Sequence, residues 1–410
     1  MSWQKKKLSE VCVIRPPKSE AKKIVSSKDL VSFLGMEHLG ISKKSVVPSV
    51  EKTFEEVSGS YTYFAENDVL LAKITPCFEN GKLGIAKNLT NGIGFGSSEF
   101  VVFRTGNQIF NEWLYYFLSR ADFLAEGANN MSGAVGHKRI NKEFIESYEI
   151  PVPPLAIQKK IVSKLDAIFA EIDKATVASK ANAKNAEALF QSYLNELFGR
   201  GGDGWIGKKL QEITTKIGSG ATPKGGNGSY KETGISLIRS MNVYDDGFFY
   251  PKLAFIDDAQ AKELANVTVE EDDILLNITG ASVARCCIVP SDILPARVNQ
   301  HVSILRAKKN VINPSLLHLL LISPIHKQRL LSVGEGGGTT RQAITKAQLQ
   351  DYVIHFPIND VEQLKLVEKI SEINSFTEKI NSSFESKWKN LPILKQSILK
   401  QAFAGELVKE

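Results

Sequence analysis

Cysteine is scarce. Cys12, Cys77, Cys286 and Cys287 are the four in 410 residues, and none forms a Cys-X-X-Cys pair. Adjacent Cys286 and Cys287 make a poor disulfide geometry, so four reduced thiols in a cytoplasmic protein are expected. The six histidines show no ligand spacing, and no metal site is expected. Long apolar runs are also missing. Leu316 to Ile322, with His318 inside it, is too short to span a bilayer, so no membrane association is expected. The basic start, Trp3-Gln4-Lys5-Lys6-Lys7, has no apolar stretch behind it and does not read as a signal peptide.

Catalytic signatures are absent too. There is no HExxH, no GxSxG and no Asn/Asp-Pro-Pro-aromatic tetrapeptide. Gly202 to Lys208 spells GxxxxGK, but Lys209 stands where Ser or Thr would hold magnesium. That segment also precedes a domain start, whereas a phosphate loop joins a strand to a helix. Gly92-Ile93-Gly94-Phe95-Gly96 lacks a following acidic residue to grip a ribose and reads as a loop. No catalytic residue is assigned.

What is present is a duplication. Trp3 to Val11 returns as Trp205 to Ile213, and Asp68-Val69-Leu70-Leu71 as Asp273-Ile274-Leu275-Leu276. Gly133, Ile140, Lys142, Tyr148 and Pro153 match Gly337, Ile344, Lys346, Tyr352 and Pro357. Leu189 to Leu194 matches Leu394 to Leu399. An offset of 202 to 205 persists along the chain, which excludes a short-period solenoid. Each half opens as a mixed α/β domain. Strands are expected at Asp68 to Thr75, Phe100 to Phe103, Asp273 to Thr279 and His301 to Leu305. Helices are expected at Asn111 to Ala121 and Pro314 to Ile322.

After Pro151-Val152-Pro153-Pro154 the texture changes. Leu155 to Phe198 contains neither glycine nor proline. Ile161, Leu165, Ile168, Ile172, Ala175, Ser179, Asn182, Ala186, Leu189 and Tyr193 recur in steps of four and three, as in a coiled-coil seam. The second copy supplies Leu366, Ile370, Ile373, Thr377, Ile380, Phe384, Lys387, Leu391, Leu394 and Ile398, with Pro392 expected to kink or restart the helix. The expected organisation is a first domain over 1–154, a central helix over 155–199, a second domain over 200–357 and a C-terminal helical region over 358–410. The two helices share one chain, so an intramolecular antiparallel pair is favoured. The two domains would then be related by a pseudo-two-fold axis.

Net charge is +6 and the pI about 8.9, which permits nucleic-acid binding without requiring it. Polar, basic loops rich in glycine stand at matching places: Gly133 to Arg139 before Ile140, and Gly336 to Gln342 before Ile344. Glycine lets backbone approach a ligand. Arg, Lys, Gln, Asn and Thr are side chains that read base edges or hold phosphates. Candidates in the first half are Lys73, Thr75, Asn80, Lys82, His137, Lys138 and Arg139. In the second they are Arg239, Asn242, Asn277, Thr279, Arg285, Asn299, Gln300, Thr339, Thr340, Arg341 and Gln342. Solvated loop residues, or a two-headed adaptor that binds proteins, would also fit. Steep weakening of binding by salt would mark nucleic acid instead.

Three segments resemble the specificity subunit of Type I restriction–modification enzymes. They are Tyr148 to Ile161, Gln396 to Leu407, and Trp205 to Thr222 with Lys224. Phe356-Pro357-Ile358-Asn359-Asp360 departs from the pattern by keeping one proline. The resemblance implies two target-recognition domains, each reading half of a split, asymmetric site on double-stranded DNA. It further implies two conserved helical regions that hold two modification subunits, and a restriction subunit that joins them. S-adenosylmethionine, ATP and magnesium would be bound by those partners, and this chain would carry no cofactor.

Overall fold

The computed structural model describes residues 3–134, 136–223, 225–335 and 343–407. Two compact units are present. One comprises 1–180 with 386–410, the other 181–385. Each therefore holds one α/β domain and one half of each of two long helices, Leu155–Arg200 and Asp360–Ala404.

The first domain is built on a five-stranded sheet. Its middle strand, Val69–Ala72, pairs antiparallel with Phe100–Thr105 on one side and Leu83–Ala86 on the other. Side chains alternate along a strand, and here both faces are buried. Val69 and Leu71 pack under Trp113 and Phe117, while Leu70 and Ala72 pack with Leu34 and Phe64 from the side of the second sheet. The second domain repeats this. Ile274 and Leu276 of strand Ile274–Asn277 face the core that holds Leu316 and Leu320, and Leu275 faces the opposite core.

The acidic residue before each of these strands has one job in both domains. Buried Asp68 takes hydrogen bonds from Arg104 at 2.9 and 2.7 Å and from Ala65 N at 2.7 Å. Buried Asp273 takes them from Arg306 at 2.8 and 2.8 Å and from Glu270 N at 2.7 Å. Paired carboxylates of this kind tolerate burial because each oxygen is met by a charged or backbone donor.

Some expectations change. Gly92 to Gly96 is not a loop: Ile93–Gly96 is a buried strand between Leu30–Leu34 and Thr62–Ala65. Its glycines are there for space, since a Cβ on Gly94 would lie 2.1 Å from Phe64. The helix expected over Asn111 to Ala121 stops at Leu118, and a second helix, Ala121–Asn129, follows it. Likewise Pro314–Ile322 is followed by Pro324–Glu335. The C-terminal helix runs unbroken through Pro392.

The first unit pairs its helix halves antiparallel. Lys164 Nζ donates to Leu407 O at 3.1 Å, Lys395 Nζ meets Asp173 at 2.5 Å, and Lys180 lies over the Trp388 ring. Ile161, Leu165 and Ile172 are buried there, and Ile168 is half-buried. In the second unit Ile370 is buried and Leu366, Ile373 and Ile380 are half-buried. Five of the expected seam residues, Ala175, Asn182, Leu189, Lys387 and Leu394, are exposed. Leu189 is 72% exposed and Leu394 46% exposed, while Phe190, next to Leu189, is buried, and further along the second helix Leu399 is buried and Ile398 half-buried. Buried Ile161, Ile172, Ser179 and Phe190 are 11, 7 and 11 residues apart. That spacing follows the ~3.6-residue turn of a straight helix, from which a strict heptad drifts by ~20° per repeat. Phe190, Leu194 and Phe198 also pack into the second domain's core, which selects their face.

Candidate nucleic-acid interface

Beyond each middle strand the chain meets the residues that follow its glycine-rich stretch. In the first domain Ile74 bridges to Arg139, Ile140 N donates to Lys73 O at 3.0 Å, and Thr75 N to Lys138 O at 3.0 Å. In the second, Thr279 bridges to Ala343 and Ile344 N donates to Ile278 O at 2.8 Å. Gly133 has a φ of 126°, and a Cβ there would sit 3.0 Å from His137 O. Glycine is required for so tight a return.

This return gathers Lys73, Thr75, His137, Lys138 and Arg139. Thr75 Oγ1 donates to Lys138 O at 3.1 Å and Lys73 Nζ to Ser98 O at 2.8 Å. Arg139 is bidentate on Glu99, with Nε at 2.9 Å from Oε2 and Nη2 at 2.7 Å from Oε1. Those hydrogen bonds hold the Glu99 carboxyl below its ordinary range. Burial lowers the Lys73 ammonium, opposed by Glu99 and reinforced by Arg15 and Arg139. His137, Lys138 and Arg139 are exposed, leaving a basic edge.

Asn80 and Lys82 lie elsewhere. Lys82 Nζ is tied to Met36 O at 2.8 Å. Asn80 lines a groove of about 370 Å³ with Lys44, Tyr116 and Asp166. Lys44 there joins Glu112 and Asp166 at 2.6 Å each, so its charge is already paired within the first unit.

In the second domain Thr279 and Arg285 line a cleft of about 600 Å³ with Ser240, Tyr244 and His301. Thr279 Oγ1 lies 2.5 Å from His301 Nδ1, and Gln300 Nε2 lies 3.2 Å from His301 Nε2. Thr222 Oγ1 donates to Gln300 Oε1. Arg285 stacks over Tyr244 at 4.6 Å. Three other candidates are framework. Asn242 is fully buried and donates to Phe249 O, Asn277 is fully buried and donates to Ser240 O, and Asn299 accepts from His301 N. Arg239 donates to Lys252 O and lies over Tyr230. Asn277 Oδ1 and Arg239 Nε are buried without a partner among the described residues. Thr339, Thr340, Arg341 and Gln342 lie outside the described residues. Glu99, Tyr244 and His301 were missed by the sequence reading, although His301 directly follows the candidates Asn299 and Gln300.

The joints below these edges also repeat. Gln158, fully buried, accepts from Phe110 N at 2.8 Å and donates to Gln108 O at 2.8 Å and Pro153 O at 2.7 Å. Gln363, equally buried, accepts from Asn313 N at 2.7 Å and donates to Val311 O at 3.0 Å and Pro357 O at 2.9 Å. The missing proline of the second junction thus leaves its anchoring unchanged. A long helix also caps the second short helix of each domain. Gln396 Oε1 accepts from Ala121 N at 2.8 Å, and Asn195 Oδ1 from Ile325 N at 2.9 Å.

Among the described residues no group of His, Cys, Asp and Glu is placed to hold a metal, and no helix is long and apolar enough to cross a membrane. Two relatives from Escherichia coli are similar over about half of this chain. The Type I restriction enzyme EcoAI specificity subunit is 32% identical over 198 residues, 48% of this chain and 33% of the relative. The EcoEI specificity subunit is 34% identical over 196 residues, 48% of this chain and 32% of the relative. The chain thus spans about a third of the length of these two relatives. In fold it is similar to a chain solved in work on complex assembly and conformational transition of the type I R-M system. That match has a TM-score of 0.76 at 20% identity and covers 99% of this chain and 98% of the other. The family model for the Type I restriction modification DNA specificity domain matches residues 1–181 and again 202–385, so the chain belongs to that family and carries its domain twice.

Proposed function

We propose that this chain is the DNA-sequence-recognition subunit of a Type I restriction–modification complex in the cytoplasm. Each domain reads one half of a bipartite, asymmetric double-stranded site. The observation that carries this reading is the repeated construction of the edge. In both domains the residues that follow a glycine-rich stretch, Arg139 and Ile140 in the first and Ala343 and Ile344 in the second, pair with the end of the middle strand, and polar or basic side chains collect there. Side chains of these types supply both phosphate contacts and base-edge hydrogen bonds. The chain itself is non-catalytic. Two modification subunits, which bind S-adenosylmethionine and methylate adenine, dock on the helical regions. Restriction subunits, with ATP and magnesium, complete the assembly.

The test is a domain exchange. Residues 1–150 are replaced by the first domain of another family member, and methylated adenines are mapped in cells that supply the modification subunits. One half of the methylated sequence should change while the other stays. A change in both halves, or in neither, would overturn the two-reader model.

A further inference from the structure

The Arg139 guanidinium carries five N–H groups. Nε and one Nη2 hydrogen are committed to Glu99 at 2.9 and 2.7 Å, and one Nη1 hydrogen is given to His137 O at 3.3 Å. One N–H therefore remains on each terminal nitrogen, without a partner among the described residues. The carboxylate that holds the fork is itself well placed. Glu99 is 20% exposed, stands just before strand Phe100–Thr105, and has Lys73 Nζ 3.8 Å from Oε2, the oxygen that also meets Arg139 Nε. The Arg139 backbone is fixed by its bridge to Ile74. Its side chain is nevertheless 49% exposed. An arginine that served only as a structural clamp would gain most from having its whole fork covered. This one is gripped along one edge and open on its end.

Two adjacent donors on a planar, immobilised fork match a pair of acceptors on one rigid group. In the DNA major groove that pair is O6 and N7 of guanine. Adenine presents a donor beside its N7, and cytosine and thymine lack the pair. We propose that Arg139, positioned by Glu99, reads a guanine in the half-site of the first domain, so that Glu99 is a specificity-determining residue although it need not touch DNA. This rests on the DNA-recognition reading above and adds the identity of one base. The second domain has no ion pair at the matching edge among the described residues. Its chain of Thr222, Gln300, His301 and Thr279 is hydrogen-bonded through uncharged groups or an imidazole, so the rule applies to one half-site.

The experiment uses the full chain assembled with its modification subunits and duplexes carrying the mapped methylation site. Each guanine of the first half-site is replaced in turn by 7-deazaguanine, which deletes the N7 acceptor and leaves base pairing intact. One position should weaken binding by roughly 10- to 100-fold, the range for losing a bidentate base contact. Arg139→Ala should lose a similar factor and become insensitive to 7-deazaguanine at that position. Glu99→Gln should keep the melting temperature within a few degrees yet lose most of the discrimination, and Arg139→Lys should behave alike. Uniform weakening of all sequences by Arg139→Ala, with a flatter salt dependence, would mark a phosphate contact and overturn the proposal. So would indifference of the unaltered protein to every 7-deazaguanine. If the assembly binds no duplex selectively, the recognition reading itself fails, and that outcome is distinct from the others.

Discussion

Gln158 and Gln363 make the same three hydrogen bonds in two domains that differ at most positions, whereas the edges above them diverge. The first domain sets Lys73, Glu99 and Arg139 around its returning loop, and the second sets Thr279, Gln300 and His301. The difference follows from solvation. At the joint, a long helix starts beside backbone groups that no secondary structure satisfies, and one amide side chain answers all of them. Removing it leaves buried donors and acceptors unpaired. At the edge water can replace any partner, so side chains there vary without cost to folding. Joints repeat because burial constrains them, and edges diverge because nothing in the fold does.

The largest effect expected in this comparison is at the joints. Gln158→Ala should destabilise the first domain by about 3 kcal/mol, and Gln363→Ala the second by a similar amount. Hydrogen exchange should localise each loss to the domain that holds the residue. Unequal losses would show that the remaining proline pattern of the junction matters after all.

A smaller, asymmetric effect concerns acid. His326, in the second domain, is buried against Tyr352, whose hydroxyl lies 2.9 Å from Nδ1. Burial, with help from Arg329 and His355, brings its pKa down to about 4. The folded state therefore holds the ring neutral while the unfolded chain, near an ordinary value of ~6.5, takes up a proton. This contribution to stability is complete above pH ~6.5 and declines as pH falls toward 4, reaching a loss of about 2 kcal/mol by pH 5. The matching position in the first domain is Asp122. Denaturant melts of the parent and His326→Gln at pH 7.5 and 5 measure it, and equal pH slopes in the two proteins would remove His326 as the cause.

The smallest effect concerns the central helix. Leu189→Ala should change stability by less than about 0.5 kcal/mol, since the side chain faces solvent. A thermal shift of several degrees would restore the heptad seam.

Local signals were legible where the physics is local. Asn313 caps its helix by accepting from Ser315 N and Leu316 N, Pro314 follows at the first turn, and the helix ends at Ile322 as read. The helix Ala121–Asn129 was hidden because Gly127 looks like loop material. The glycine is needed there because a Cβ would meet Phe78 at 2.3 Å, a contact made by a residue 49 positions away. Asn242, Asn277 and Asn299 looked like surface polar groups, and each proved to be buried and paired with backbone.

The sequence by itself determined the duplication, the two long helices and the tight glycine return at Gly133. These follow from repeated residues, uninterrupted helical periodicity and backbone freedom, all of which act over a few positions. Only the tertiary structure decided that Arg139 meets Glu99 forty residues away, that Lys82 is spent on Met36 O, and that Phe190 rather than Leu189 turns inward. The reason is that a side chain's role depends on which distant backbone or charge the fold returns to it. A period of 3.5 and one of 3.6 are indistinguishable over two turns, yet they put different residues in the core after eight.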